Sequence, residues 1–368
     1  MKKILFVTKS QYGYHIDPYK FGCYLKNDFQ ITHISWDFGL PKIKTNGINT
    51  LYISRKGYKL IRLKRFLIQL SKEIKTQKYD LVFLVYFPGC SYLLWNNSKV
   101  IFNIDIRTAT DTKSNFTNFW KDAILKWECS QFKHLSILSY GLAKKLAFKK
   151  FHYLPLGGEK FCYKYKTFDQ LNMLYVGTLE NRDLLTFVKG LHRFIRSTNK
   201  VSPTISFTII GDGPGNERQE IEDYIKENHL NETIRTLGYI HNDQLNAYFE
   251  KANIGVSYIP ITPYYTHQPP TKTYEYLLSG LPVLATATNE NIKIIDESCG
   301  ILIQDHEEDI AQGINRLTRQ LKHYESEKIM QICLNQSWVN ISRNNLRPYL
   351  ESIITKREYQ SKLTSRYI

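Results

Sequence analysis

Short apolar runs alternate with longer amphipathic stretches along the chain, a rhythm that predicts repeated parallel β-α units. In the first half the runs are KKILFVTK (2–9), QITHISWDF (30–38), DLVFLVYF (80–87), KVIFNIDIRT (99–108), LSILS (135–139) and FHYLPLGG (151–158). In the second half they are NMLYVG (172–177), TISFTIIG (204–211), TIRTLGYI (233–240), NIGVSYIP (253–260), LPVLATA (281–287) and CGILIQ (299–304). Between them, Leu60, Leu63, Leu67, Leu70 and Ile74 recur at helical spacing within 55–78. Residues 116–134 predict a helix that packs through Trp120, Ile124, Trp127 and Phe132. NENIKIIDE (289–297) reads as a helix, and helices over 306–324 and 326–357 end the pattern. The expectation is two doubly wound α/β units facing each other, with ligands held at the carboxyl ends of their strands.

Composition fits this picture and removes some alternatives. The 368 residues are 42% hydrophobic and exceed the usual size of a single core, so length alone favours two domains. The six Cys show no CxxC spacing and suit a reducing compartment, where a buried Cys acts as a small hydrophobe. MKKILFVTKS turns polar too soon for a signal peptide and reads as a first strand. No apolar run approaches the roughly 20 residues that span a bilayer. The net charge of +16 is lopsided: residues 1–168 hold 29 Lys and Arg against 10 Asp and Glu, while 169–368 hold 21 against 24. The first half therefore suits an anionic substrate or membrane surface. Nucleic acid is disfavoured, because no recognised reading module accompanies the charge.

The candidate chemistry gathers in residues 257–280, SYIPITPYYTHQPPTKTYEYLLSG. A buried strand there opens into an aromatic, Pro-rich loop, and Pro270 suits the first turn of the helix that bears Lys272 and Glu275. The free amides of that turn, around Pro270–Thr273, favour an anion such as a diphosphate. Two Gly-containing loops follow strands upstream, one with Gly177, Thr178 and Arg182, the other with Gly211, Asp212 and Gly213. Glycine lets a ligand approach the backbone, and Arg182 could clamp phosphate oxygens. In the first half, Asp105 and Arg107 stand at a strand exit, either as a site pair or as a salt bridge that fixes the loop. Gly13 lies in the loop after the first strand and serves either a turn or a ligand. No HxxxH, DxD or Asp-rich cluster implies a metal, and no other cofactor is called for.

In the order and spacing of GTL, GDGP, the LGYI and ANIGVSYIP runs and KTYEYLLSGLPVLAT, residues 170–305 resemble the retaining nucleotide-sugar glycosyltransferases of the GT-B type, the group 1 family. DIRT, SYGLAKKL and LPLGG extend a weaker likeness over 99–158. The resemblance implies an α/β GT-B fold, two doubly wound Rossmann-like domains facing across a cleft. Residues 1–160 would bind the acceptor, 161–335 the nucleoside-diphosphate sugar, and 336–368 would return to the first domain. It implies a substrate, rather than a cofactor, of UDP, GDP or dTDP type, and transfer with retention by front-face attack. The acceptor would be a saccharide, or one linked to a lipid diphosphate, used in surface polysaccharide synthesis. A cytoplasmic location follows, peripheral on the inner face of the membrane where the basic half meets anionic lipid.

Residue by residue, Glu275 matches the family glutamate that holds the ribose hydroxyls. Its acidic companion would fall at His267. Thr178 stands where the family has a phosphate-binding Arg and Asp183 where it has a Lys, so Arg182 and Lys272 become the candidates for the leaving diphosphate. Gly177, Thr178, Gly211, Asp212, Gly213, Tyr258, Pro270, Thr271 and Thr273 would line the donor site with His267, which either takes over a sugar or phosphate contact or leaves the donor head to be held differently. Gly13, Tyr14 and His15 would lie on the acceptor side, with Asp105 and Arg107 near the reacting sugar. Another GT-B enzyme acting on UDP-sugars, such as a nonhydrolysing epimerase or an inverting transferase, is the alternative. A noncatalytic sugar-nucleotide-binding scaffold is the third.

Overall fold

The computed structural model describes residues 1–97, 100–108, 115–198, 204–263, 265–267 and 271–364, with backbone alone at 115, 267 and 357–364. Pro270 lies outside the described residues, as does the His267 side chain. The chain forms two compact units: unit 1 comprises Met1–Leu156 and Trp338–Ile368, and unit 2 comprises Gly157–Ser337.

Unit 1 holds seven strands: β1 (Lys3–Val7), β2 (Gln30–Asp37), β3 (Ile48–Ser54), β4 (Leu81–Val85), β5 (Ile101–Ile106), β6 (His134–Ile137) and β7 (His152–Tyr153). They lie in the order β3-β2-β1-β4-β5-β6-β7, and every pairing is parallel. Unit 2 repeats the plan with β8 (Leu171–Val176), β9 (Ile205–Ile210), β10 (Ile234–Thr236), β11 (Ile254–Ser257), β12 (Val283–Thr286) and β13 (Gly300–Ile303). Their order is β10-β9-β8-β11-β12-β13. Both sheets switch direction beside their first strand, between β1 and β4 and between β8 and β11. Ligands bind at the carboxyl ends of such sheets, at the switch.

The central strands follow the apolar runs because both of their faces are covered: β4 is buried throughout, as are β11 and β12. The apolar pattern did not predict β3. It is an edge strand whose middle residues are only half buried, so it needs no continuous apolar run. NENIKIIDE forms turns instead of a helix. There the Asn291 side chain donates to Thr286 O at 2.8 Å, accepts from Thr273 at 3.0 Å, and replaces helical bonding with side-chain ties.

The helix Asn115–Ser130 turns the opposite face inward from the one expected. Phe116 is 73% exposed, Trp120 54% and Trp127 56%, and Ile124 is also exposed, while Leu125 and Cys129 are buried. Glu128 fixes this rotation. Its buried carboxylate accepts from the Gly89 amide and the Ser91 hydroxyl, each at 2.9 Å, and from the Tyr86 hydroxyl at 3.1 Å. A buried carboxylate must stay hydrogen-bonded, so these three donors at the end of β4 hold it inward and leave the aromatic stripe outside. The helix Lys59–Gln77 buries Leu67, Leu70 and Ile74 as the spacing predicts, but Leu60 at its start is exposed.

The stretch predicted as one helix over 326–357 is interrupted. After Ser326–Ile332 the backbone extends at Ser337 and enters unit 1 at Trp338. A π-helical turn, Ile341–Leu346, precedes the last helix, Arg347–Thr364. Trp338 is buried edge-on against Phe21, with ring centres 5.7 Å apart. Tyr349 stacks on His152 at 3.8 Å and donates to Asn103 Oδ1 at 2.7 Å.

Candidate functional site

At the switch of unit 2, a glycine and a tyrosine decide where the helix Thr271–Leu278 sits. A Cβ on Gly255 in β11 would lie 2.2 Å from the Tyr276 ring, so glycine there lets the ring pass. The Tyr276 hydroxyl then accepts the Val176 amide at 2.9 Å, pinning the helix to the end of β8. Thr273 anchors its start: its buried hydroxyl shares a 2.7 Å hydrogen bond with Ser257 and donates to Asn291. Gly158 packs against the same helix, 2.9 Å from Glu275 N when given a Cβ.

This placement drives Lys272 over the end of β8. Its Nζ lies 3.7 Å from the centre of the Tyr175 ring and 2.9 Å from where a Cβ on Gly177 would stand. The ammonium is buried and, among the described residues, has no hydrogen-bond partner. Burial pushes its pKa well below the ordinary lysine value, Arg182 pushes the same way, and Glu275 opposes them. A buried ammonium with no hydrogen-bond partner among the described residues, beside a glycine-lined strand end, has the chemistry to receive an anion. Tyr175 is held in turn by its bond to Thr178 O at 2.8 Å.

The two glycine loops lock together beside it. A Cβ on Gly211 would fall 1.8 Å from Gly177 O, a clash that L side chains cannot relieve. Leu179 N donates to Asp212 O at 3.0 Å, and the exposed Thr178 hydroxyl reaches the same oxygen at 3.3 Å. The Asp212 carboxylate accepts from Gly213 N at 3.0 Å and faces Arg218 at 3.6 Å. Asn181 and Asp183 take left-handed backbone, with φ of 55° and 47°. Arg182 stands between them, donates to the Tyr265 hydroxyl and lies 4.6 Å from the Tyr265 ring centre. Gly177, Gly211, Arg182, Lys272 and Tyr265 thus converge. Glu275 lies one turn beyond Lys272, half buried, and Thr271 opens the helix.

Other expected residues point elsewhere. Tyr258 is fully buried against Phe187, with its hydroxyl turned to Asp305 O. The Thr273 hydroxyl is consumed by its two partners. Tyr265 and Tyr175 were not singled out in the sequence. The aromatic run PYYTH was the available signal for Tyr265, whereas Tyr175 looks like any strand residue.

In unit 1, Asp105 and Arg107 form a buried ion cluster rather than an open pair. Asp105 accepts from Arg107 Nε and Ser136 Oγ, both at 2.6 Å, and has no exposed surface. Arg107 also donates to Leu154 O at 3.1 Å and pairs with the buried Asp17 at 3.3 Å. Burial raises the Asp105 pKa, while Arg107 and Ser136 pull it down. With both carboxylate oxygens engaged, the cluster ties β5 to β6 and to the helix Ile16–Leu25. His15 stands at the start of that helix, its pKa lowered chiefly by burial. Gly13 serves the turn: its φ is +89°, and a Cβ would lie 2.3 Å from Ile43 Cδ1. Tyr14 is exposed and donates to Pro41 O at 3.1 Å.

Two parallel Rossmann-like domains in one chain, with glycine loops meeting at the switch of the second, have the GT-B class of fold. Within it, residues 170–320 match the family model of glycosyl transferases group 1. Sucrose-phosphate synthase from Thermosynechococcus elongatus shares the fold at a TM-score of 0.73 and 16% identity, over 96% of this chain and 100% of that one. A glycosyltransferase from Rickettsia africae gives 0.71 and 15%, over 96% and 99%. HepE from Anabaena, solved with UDP and glucose, gives 0.68 and 12%, over 96% and 100%. A search of curated protein sequences gives no match.

Proposed function

We propose that the protein is a glycosyltransferase that moves a sugar from a nucleoside-diphosphate donor to a saccharide acceptor, with retention of configuration. The observation that carries this is the Lys272 ammonium, buried beside Gly177 at the unit 2 switch without a hydrogen-bond partner among the described residues. The group 1 match over 170–320 and the UDP-sugar ligands of the Anabaena neighbour support the same reading. In this reading the leaving diphosphate lies against Gly177 and Gly211. Lys272 and Arg182 stabilise the charge that grows on it as the glycosidic bond breaks, and the first amides of the helix from Thr271 add to this. Glu275, on the same helix, takes the ribose hydroxyls.

The acceptor is assigned to unit 1, whose residues hold 32 Lys and Arg against 11 Asp and Glu, a net +21, while unit 2 holds 18 against 23, a net −5. Such a domain suits a phosphorylated or lipid-diphosphate-linked acceptor in surface polysaccharide synthesis. The exposed stripe of Phe116, Trp120 and Trp127 supports a place on an anionic membrane face. Among the described residues no helix is long and apolar enough to cross a membrane.

A melting-temperature screen with UDP-, GDP- and dTDP-linked sugars tests the donor assignment, because a ligand of the native state raises apparent stability. One family of sugar nucleotides is expected to stabilise the protein. No shift with any of them would overturn the enzyme reading. The anomeric configuration of the product, read by NMR, tests retention.

A further inference from the structure

Unit 1 gathers three cations around the ring of Trp36 and, among the described residues, pairs them with no carboxylate. The cations come from separate segments at the carboxyl end of the sheet. Lys9 follows β1 by two residues, Arg55 follows β3 directly, and Arg62 lies in the first turn of the helix Lys59–Gln77. Lys9 Nζ is 5.2 Å from the Trp36 ring centre, and the guanidinium carbons of Arg55 and Arg62 are 5.9 and 5.8 Å from it. Phe38 lies 4.1 Å beneath Arg55, and Phe87 5.8 Å from Lys9. Among the described residues none of the three cations forms an ion pair.

A second observation concerns hydrogen bonds. Arg55 Nε, Arg62 Nε and Trp36 Nε1 are all buried, and among the described residues all lack an acceptor. Each is an N–H donor, so the cluster lacks lone pairs and negative charge in the same place. Buried polar groups are ordinarily satisfied, and aromatic faces offset only part of the repulsion among like charges. The Lys9 ammonium shows the strain: burial lowers its pKa, followed by the charges of Lys59, Arg62 and Arg55. The contrast with Arg107 in the same unit is direct, since that guanidinium sits between two carboxylates.

We propose that Lys9, Arg55 and Arg62, with the Trp36 indole N–H, form a binding site for a phosphate or diphosphate group. Guanidinium groups match phosphate oxygens in geometry, and the site lies at the carboxyl end of a doubly wound sheet, beside its switch. The site stands on its own geometry; naming its occupant as the phosphate of the acceptor rests on the transferase reading. Phosphate esters of soluble sugars and of lipid carriers share this chemistry.

The test is calorimetric titration of the full chain with inorganic pyrophosphate while UDP is saturating. Pyrophosphate is expected to bind with UDP present. The double variant Arg55→Gln/Arg62→Gln is expected to weaken that binding at least tenfold and leave UDP affinity unchanged. Its unliganded melting temperature should be equal or higher, because like charges have been removed, whereas a purely structural role would lower it. Lys9→Gln gives the same reading if the double variant does not fold. Pyrophosphate binding that UDP abolishes, or that neither variant weakens, overturns the proposal. Glucose 6-phosphate and phosphatidylcholine vesicles carrying a polyprenyl diphosphate then separate the two sources. Binding of either that fails in the variant supports the site, and binding of neither overturns it. Should UDP, GDP and dTDP all fail to bind while pyrophosphate and the variants behave as expected, the donor assignment falls and this site stands.

Discussion

The two units share one strand order through their first six strands, yet they furnish the carboxyl ends of their sheets in opposite ways. Unit 1 places three cations, unpaired among the described residues, on aromatic faces there and, nearby, sets Arg107 between Asp105 and Asp17. Unit 2 strips its strand ends to glycine at 177 and 211 and brings a lysine in from the following helix. The shared scaffold therefore leaves the two switch points alike, and side chains decide the charge and the closeness of approach that each offers. The difference also shows that a buried cation is treated differently in the two units: Arg107 is paired with two carboxylates, whereas Lys272 has no hydrogen-bond partner among the described residues.

Removing those two cations gives the sharpest contrast. Arg107→Met leaves two buried carboxylates without their cation, and about 3–5 kcal/mol of stability is expected to be lost in urea denaturation. Equal stability in the variant would break the comparison. Gly211→Ala comes next, because its Cβ would meet a backbone oxygen of the neighbouring strand end at 1.8 Å. About 3 kcal/mol is expected to be lost, as for severe overpacking. Gly13→Ala should cost less, about 1–2 kcal/mol, since it meets the movable tip of Ile43 and mainly strains a positive φ.

Lys272→Met should leave the unliganded protein as stable or more stable, while nucleoside-diphosphate affinity falls roughly 10- to 150-fold, the worth of a charged hydrogen bond of about 1.5–3 kcal/mol. Its pH dependence has a definite sign. The native Lys272 pKa is lowered from 10.5, so between that lowered value and 10.5 the unfolded chain binds more protons. Unliganded stability therefore gains from Lys272 as pH rises through this window, and the variant loses that gain. A bound diphosphate favours the ammonium, so binding takes up a proton and weakens as pH rises, measurable by calorimetry in buffers of different ionisation enthalpy. The smallest stability effect is expected from Trp120→Ser/Trp127→Ser, within about 0.5 kcal/mol. The same double variant should lose binding to anionic vesicles in a sedimentation assay.

Much of the fold was legible because its strands are buried on both faces and therefore read as apolar runs. The edge strand β3 escaped that logic, and NENIKIIDE had helical composition without helical bonding. In the candidate site, the glycines and the Lys272–Glu275 helix were visible as loop and cap chemistry. Tyr258 and Thr273 looked equally suitable but point into the interior, since a residue at a strand end or helix start can face either way. Asp105 and Arg107 were legible as a pair. Asp17, which completes their cluster, was not, because it comes from another segment.

By itself, then, the sequence determined the succession of strands and helices, the glycine loops and the uneven charge, all of which depend on neighbouring residues and their period. Tertiary structure decided the rest. Gly255 and Tyr276 set Lys272 over Tyr175, Glu128 turned an aromatic stripe to solvent, and three segments brought Lys9, Arg55 and Arg62 to one indole ring. These outcomes depend on which backbone amides and ring faces a distant segment offers, and no local periodicity records that.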